Sequence, residues 1–430
     1  MGSTRLPPGP RLPRAAQTLA WMTRPMPFME RARARYGDMF TVRIAQEGTW
    51  VFLSDPEAIK QVFTAPPDVL HAGEANAILR PWMGDNSVLL LDGPQHLAQR
   101  KLLLPPFHGE RMQRYGDVMA QIAREEVATW PTGRPLQLWP RMQKVTLEVI
   151  VRTIFGVDDP ARLDNLRARL RDAAELTTQP QTMLKMATLG PDRVGASRGF
   201  RARMAPVDAA VFEAIAARRS APDLAEREDI LSLLLQARHE DGSPMSDQEL
   251  RDELMTLLIA GHETTATALS WAIERMLRVP GADLARLAGD EAYADAVVKE
   301  TLRLRPVLPV VVRQVKQPIT VGGVDFAPGV TLTPCIHLVH RRPDVYPEPA
   351  RFRPERFLEQ PAGTYTWLPF GGGVRRCLGA AFAQFEMKTI LRVVAQERRL
   401  EATTPAAEPV RRRAITLTPG RGAEVIASPA

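Results

Sequence analysis

Cys377 stands within Phe370-Gly371-Gly372-Gly373-Val374-Arg375-Arg376-Cys377-Leu378-Gly379, and these residue types at this spacing suit metal ligation. A cysteine thiolate is a soft, electron-rich ligand for iron. Gly371, Gly372, Gly373 and Gly379 permit close backbone approach and unusual dihedrals. Amide N–H groups at the start of a following helix can point at the sulfur and stabilise its charge. Arg375 offers a cation to a carboxylate beside the metal, and Phe370 can screen one side of the sulfur from water. A lone Cys-x-Gly is more often a buried structural cysteine, since free cysteine is among the most buried residue types. The whole decamer reverses that reading.

A second constellation is Ala260-Gly261-His262-Glu263-Thr264-Thr265. It falls in the middle of a strong helical pattern, where threonine is a weak helix former and glycine costs about 1 kcal/mol relative to alanine. Read locally, Thr264 bonds back to a carbonyl one turn earlier. Read chemically, an adjacent acid and alcohol can move a proton, and Gly261 leaves room for a small molecule against the backbone. His262 points about 200° away from Thr264 on the helical wheel and is read as structural. His96-x-x-x-Arg100 sets two donors on one helix face. Glu300-Thr301-Leu302-Arg303 is an i, i+3 ion pair, common on helices.

The elements that must position these residues are legible in outline. Residues 39–44 and 50–53 alternate around Gly48 and predict a hairpin. Asp55-Pro56-Glu57 reads as an N-cap, a first-turn proline and a first-turn acid before a helix over 57–63. Helical periodicity covers 95–130, 140–156, 160–178 and 200–220, and residues 179–199 read as irregular. Ser246-x-x-Glu249 is a capping box opening the longest helix, which ends near Val279-Pro280-Gly281 and spans about 50 Å. A helix follows over 290–304, strands and turns over 307–334, and a proline-rich coil over 343–370. A helix from Gly379 to about Arg399 and a β region over 410–427 close the chain.

Composition narrows the class. At 430 residues, length alone suggests about two or three domains. No linker stands out, so a proline-rich segment over 1–14 and a single domain over 15–430 are expected. Two cysteines, Cys335 and Cys377, offer no disulfide framework, which suits a reducing, cytoplasmic setting. The net charge is +7, mostly arginine spread along helices without an aromatic-interleaved basic block, so nucleic-acid binding is not expected. No apolar run reaches the roughly 18 residues that a membrane-spanning helix needs.

The cysteine decamer resembles the heme-ligand signature of the cytochrome P-450 superfamily, F-x-x-G-x-[R/H]-x-C-x-G, at every fixed position. Residues 260–265 resemble its oxygen-activating groove, [A/G]-G-x-[D/E]-T-[T/S]. Glu300 and Arg303 with Arg356 of Pro354-Glu355-Arg356-Phe357 resemble its structural Glu–Arg–Arg triad. His96 and Arg100 resemble the helix that clamps heme propionates, with histidine where many relatives have tryptophan. Leu6-Pro7-Pro8-Gly9-Pro10 is similar to the hinge that follows the anchor of membrane-bound relatives; with five residues ahead of it, no integral membrane anchor is expected.

The resemblance implies a mainly α fold, a triangular helical prism with small β-sheets at its edges and heme b between the long helix and the one after Cys377. Cys377 would be the axial iron ligand, with Phe370, Gly371, Gly379, Arg375, His96, Arg100, Arg313, Gly261 and Ala260 around the cofactor. Thr264 and Glu263 would deliver protons to the reacting oxygen. Val88, Leu89, Trp82, Leu308, Val310 and Ile415, with Ile78, Leu79 and Met83, would line a pocket with few polar anchors. The implied reaction inserts one atom of O2, by hydroxylation or epoxidation, into a lipophilic molecule such as a fatty acid, terpenoid or steroid. NAD(P)H-derived electrons would come through a separate ferredoxin or flavodoxin with its reductase, docking on a basic patch of Arg100, Lys101, Arg111, Arg114, Arg376 and Lys388. A peroxide-using or isomerising heme-thiolate enzyme, and a non-catalytic heme-binding sensor, are the alternatives; the retained acid–alcohol pair counts against both.

Overall fold

Ser246 starts the helix around which the chain is organised. Its hydroxyl accepts the Glu249 N–H at 3.2 Å, and the Glu249 carboxylate accepts the Ser246 N–H at 2.7 Å, closing the expected capping box. The helix runs Asp247–Met276 and is buried on nearly every face, from Leu250 to Met276. A helix buried all round is a core element rather than a surface one. It packs against the helices Leu138–Ile150, Arg198–Arg219, Glu291–Leu304 and Ala380–Glu397. The computed structural model describes residues 6–107, 111–156, 160–176, 179–280 and 282–430.

Sheets lie around this helical body. A five-stranded sheet has the order Met39–Ile44, Gly48–Leu53, Val330–Pro334, Arg313–Val315 and Leu70–His71. Gly48–Leu53 pairs parallel with Val330–Pro334, and the other pairings are antiparallel. That parallel pairing brings the start of the chain to the segment leading into the cysteine loop. Near the C-terminus, Val410–Arg413 and Thr416–Pro419 form a hairpin. Glu424–Pro429 pairs with both Pro135–Gln137 and Arg398–Ala402.

Local chemistry explains where expectation and structure agree. Asp55 caps the helix Pro56–Thr64 by accepting the Ala58 N–H at 2.8 Å. The stretch expected as irregular over 179–199 is instead two helices, Pro180–Leu189 and Pro191–Ala196. Each has its proline in the first turn, where no intrahelical donor is lost, and Gly190 at φ 84° separates them. The pattern over 95–130 is split into Gly93–Leu103 and Arg111–Ala128 around Pro105 and Pro106. Helices Arg14–Thr23, Pro25–Tyr36 and Ile230–Gln236 were not evident from periodicity. The proline-rich start lies against the sheet, with Thr41 donating its hydroxyl to the Pro7 carbonyl and its N–H to the Pro8 carbonyl.

Glu300, Arg303 and Arg356 meet in the interior. Glu300 and Arg303 are fully buried. The Arg303 guanidinium binds both Glu300 oxygens, at 2.6 and 2.8 Å. It also donates to the carbonyls of His340, Pro349 and Arg351. Arg356 Nε lies 3.1 Å from Glu300 Oε2, and the Arg353 N–H reaches Oε1 at 2.7 Å. A helix carboxylate thus organises the coil that precedes Cys377.

Removing one partner of a buried pair leaves the other charge uncompensated. Arg303→Met should therefore cost about 3–5 kcal/mol in urea unfolding. Arg303→Lys should also destabilise, because an ammonium cannot span five acceptors as the planar fork does. A loss below about 1 kcal/mol for Arg303→Met would contradict this account.

Candidate active site

The cysteine loop is a tight backbone construction. The Cys377 N–H donates to the Phe370 carbonyl at 3.0 Å, the Gly371 N–H to Leu368, and the Arg376 N–H to Gly373. Gly371 and Gly373 both have φ 66°, which side chains rarely adopt. A Cβ on Gly373 would also collide with the Phe63 carbonyl oxygen. Gly379 has a φ of −83°, and no protein atom lies within 4 Å of its missing Cβ. Its N–H does point at the Cys377 sulfur, where the helix Ala380–Glu397 begins.

Cys377 has accessible surface, with protein crowded around the rest of its side chain. Burial pushes its thiol up, while the Gly379 N–H, Arg100 and Arg376 favour the thiolate. Phe370 packs edge-on against Trp367 at 5.9 Å. Cys335, by contrast, is fully buried and pushed up to about 12 by burial, in keeping with a packed structural thiol.

Four cationic or donor groups converge beside this loop. His96 is buried and its Nδ1 has no hydrogen-bond partner. Burial, with Arg375, Arg100 and Arg313 nearby, drives its pKa down to about 3. Arg313 is buried over the Phe63 ring at 5.7 Å and is lowered to about 10 by burial and Arg375. Arg375 donates to the carbonyls of Val88 and Leu91 and pairs with Asp92. Among the described residues Asp92 is the one carboxylate ion-paired to this group. Three arginines and an orphaned buried imidazole against one carboxylate fit a ligand carrying two carboxylates, as heme b does. The donor set and the thiolate therefore suit the implied cofactor.

On the long helix, Thr264 donates to the Ala260 carbonyl at 2.6 Å, the local bond anticipated for a mid-helix threonine. Its oxygen keeps its acceptor capacity, and Ala260 is exposed within the same groove. A Cβ on Gly261 would come no closer than 3.4 Å to Ile150, so protein packing alone does not demand glycine here. Burial holds the Glu263 carboxyl above its usual range, opposed by Arg413 at 3.7 Å and by the Thr416 hydroxyl at 2.9 Å. His262 lies on another face, against Thr146, and burial lowers it to about 4. Arg413 and Thr416 were missed as parts of the site. They lie about 150 residues away in the closing hairpin, and no local motif marks them.

The expected pocket residues divide. Leu89, Leu308 and Val310 are half-buried, and Ile415 is exposed at the hairpin turn beside Thr416. Trp82 and Val88 are buried in the core, Trp82 edge-on to Phe200 at 5.7 Å. The expected basic patch is also reduced. Lys101, Arg114 and Lys388 carry acidic partners in Glu240, Glu228 and Glu291, while Arg376 is exposed. The Arg111 side chain lies outside the described residues.

A family model described as Cytochrome P450 matches residues 7–285 and 290–422. "Putative cytochrome P450 135B1" of Mycobacterium tuberculosis is 42% identical over 434 residues, covering 98% of this chain and 91% of that protein. "Putative cytochrome P450 137" of the same organism is 40% identical over 439 residues, covering 99% and 91%. Among solved structures, "Retinoic acid bound cyanobacterial CYP120A1" superposes with a TM-score of 0.83 at 25% identity, covering all of both chains. "Crystal structure of cytochrome P450DA heme domain" superposes at 0.81 with 24% identity, covering 99% and 98%, a likeness of fold alone.

Thr416→Val should remove a hydrogen bond that favours the charged form of Glu263 and so raise its pKa further. Carboxyl infrared titration should show the Glu263 C=O band persisting to higher pH than in the parent. An unchanged or lowered titration midpoint would refute the contact's role.

Proposed function

The chain belongs to the cytochrome P450 family, and on that premise we propose a monooxygenase that oxidises a lipophilic small molecule using electrons from a separate carrier. The observation that supports this best is the pairing of two sites from distant parts of the chain. One is a thiolate among surplus cations, and the other is a groove carrying a half-buried acid beside an alcohol. When bound, the heme supplies the chemistry by which one atom of O2 enters the substrate and the other leaves as water, with two electrons and two protons consumed.

The chain's own residues supply holding, shielding and proton movement. Cys377 would ligate the heme iron, and the Gly379 N–H with Arg100 and Arg376 favours its thiolate form. His96, Arg100 and Arg313 would hold the carboxylates, with Arg375 shared between them and Asp92. Burial favours the acid form of Glu263, which suits it to carry a proton. Thr416 and Arg413 hold its carboxyl at the groove. Thr264 can pass that proton on through its hydroxyl while Ala260 and Gly261 keep the groove open.

Leu89, Leu308, Val310 and Ile415 offer apolar contact, which favours a lipophilic substrate. The bound retinoic acid of the cyanobacterial neighbour, a lipophilic acid, is consistent with that class. A ferredoxin or flavodoxin would approach the Cys377 side, guided by Arg376 and Arg100. Among the described residues no helix is long and apolar enough to cross a membrane.

The carbon monoxide difference spectrum of the reduced, heme-replete protein should show the thiolate band that gives the family its name, and Cys377→Ala should abolish it. Absence of that band in the parent would withdraw the proposal. Thr264→Ala should keep reductant consumption but lower product per electron by roughly 10-fold or more, with hydrogen peroxide rising instead. An unchanged product yield per electron would remove the proton-delivery role.

A further inference from the structure

Residues 84–92 run from the helix Arg80–Met83 to the helix bearing His96 and Arg100, and both sides of this segment are tied down. On one side two consecutive carboxylates of the long helix reach across to it. Asp252 Oδ2 accepts the Asn86 N–H at 3.1 Å and the Asn86 side-chain amide at 2.9 Å. Gly84, at φ 81°, lets the backbone pass against Asp252, where any Cβ would collide with the carboxylate. Glu253 Oε1 accepts the Val88 N–H at 2.8 Å. One turn on, the Thr256 hydroxyl donates to Ser87 Oγ at 2.7 Å. On the other side Arg375 of the cysteine loop donates to the Val88 and Leu91 carbonyls. Asp92 accepts three successive N–H groups, from Ala72, Gly73 and Glu74, and pairs with Arg375.

We propose that Asp252 and Glu253 are positioning residues that make residues 84–92 a fixed strut between the long helix and the cysteine loop, so that this wall of the pocket stays closed while ligands come and go elsewhere. The two carboxylates do this in different forms. Asp252 is compensated, by Arg251 at 3.0 Å and the Gln248 amide at 2.8 Å. Among the described residues no ion pair forms at Glu253, which is fully buried and has only the Gln99 side-chain amide beside the Val88 N–H as a donor. A buried carboxylate so placed would be far costlier than the acid. Burial, with Asp252 and Glu249 nearby, raises Glu253 to about 8 against the pull of Gln99 and the Val88 N–H. The strut therefore holds Val88 with a neutral acid whose carbonyl oxygen accepts one backbone N–H. A folded-state pKa raised above the unfolded value contributes stability that is complete below the ordinary carboxyl range and is lost as pH rises through about 8.

The proposal rests on the monooxygenase reading only in treating this segment as a pocket wall. The test uses the heme-loaded protein, with hydrogen exchange at Val88–Leu90 and stopped-flow binding of imidazole and of the bulky clotrimazole. Glu253→Gln keeps a carbonyl acceptor and should retain the parent's slow exchange. Glu253→Leu removes it and should speed exchange by roughly 10-fold or more, the scale of one lost buried hydrogen bond. Glu253→Leu should also speed clotrimazole association while leaving imidazole association unchanged. Above pH 8 the parent, but not Glu253→Gln, should lose protection after correction for intrinsic exchange. Fast exchange of these amides in the parent would overturn the strut, and so would Glu253→Leu with parental exchange and binding rates. Loss of the thiolate band with exchange still slow would sink the monooxygenase reading and leave the strut standing.

Discussion

One buried carboxylate governs how the cysteine loop is held. Glu300 is taken out of water at the end of a helix, and its cost is offset only because Arg303 meets it in bidentate geometry and Arg356 approaches the same oxygen. Arg303 then spends its remaining donors on carbonyls of the coil at His340, Pro349 and Arg351. That coil has little regular secondary structure to fix it. His340 continues the chain of contacts: Nδ1 meets the Arg303 carbonyl, and Nε2 accepts the Leu368 N–H two residues before Phe370. Burial keeps the imidazole neutral, so it can accept at Nε2. The geometry at Cys377 thus depends on an ion pair remote from the chemistry.

The two faces of the site solve opposite electrostatic problems. Around the cysteine loop, cations outnumber carboxylates, an excess that suits a thiolate and a ligand carrying two carboxylates. In the groove, partial burial favours the neutral form of Glu263, while Arg413 and Thr416 limit the shift. The same low-dielectric interior that raises one carboxyl makes the cation cluster effective toward its anionic partners. The segment 84–92 bridges the cysteine loop, through Arg375, and the long helix ahead of the groove, through Asp252 and Glu253.

Much of this was legible in order along the chain. The decamer around Cys377, the acid–alcohol pair at Glu263 and Thr264, and the Glu300–Arg303 spacing are local patterns, and local patterns survive without knowledge of the fold. The capping box at Ser246 and the Asp55 cap were readable for the same reason, since a cap is an interaction over three residues. Failures came where local signals conflict. The prolines and Gly190 near residues 180–191 read as breakers, yet in the first turn and at a junction they permit two helices.

The sequence by itself determined the family and singled out the cysteine and the acid–alcohol pair proposed as ligand and proton carriers, because those depend on residue types at short spacing. Only the tertiary structure decided which distant groups complete the site. Thr416 and Arg413 reach Glu263 across about 150 residues, and Asp252 and Glu253 hold Asn86 and Val88 across a similar distance. It also decided that Trp82 and Val88 are buried in the core, and that Lys101, Arg114 and Lys388, three of the six residues of the anticipated basic patch, are paired with acids. Burial and long-range pairing are properties of packing, and a sequence carries them only through the fold it adopts.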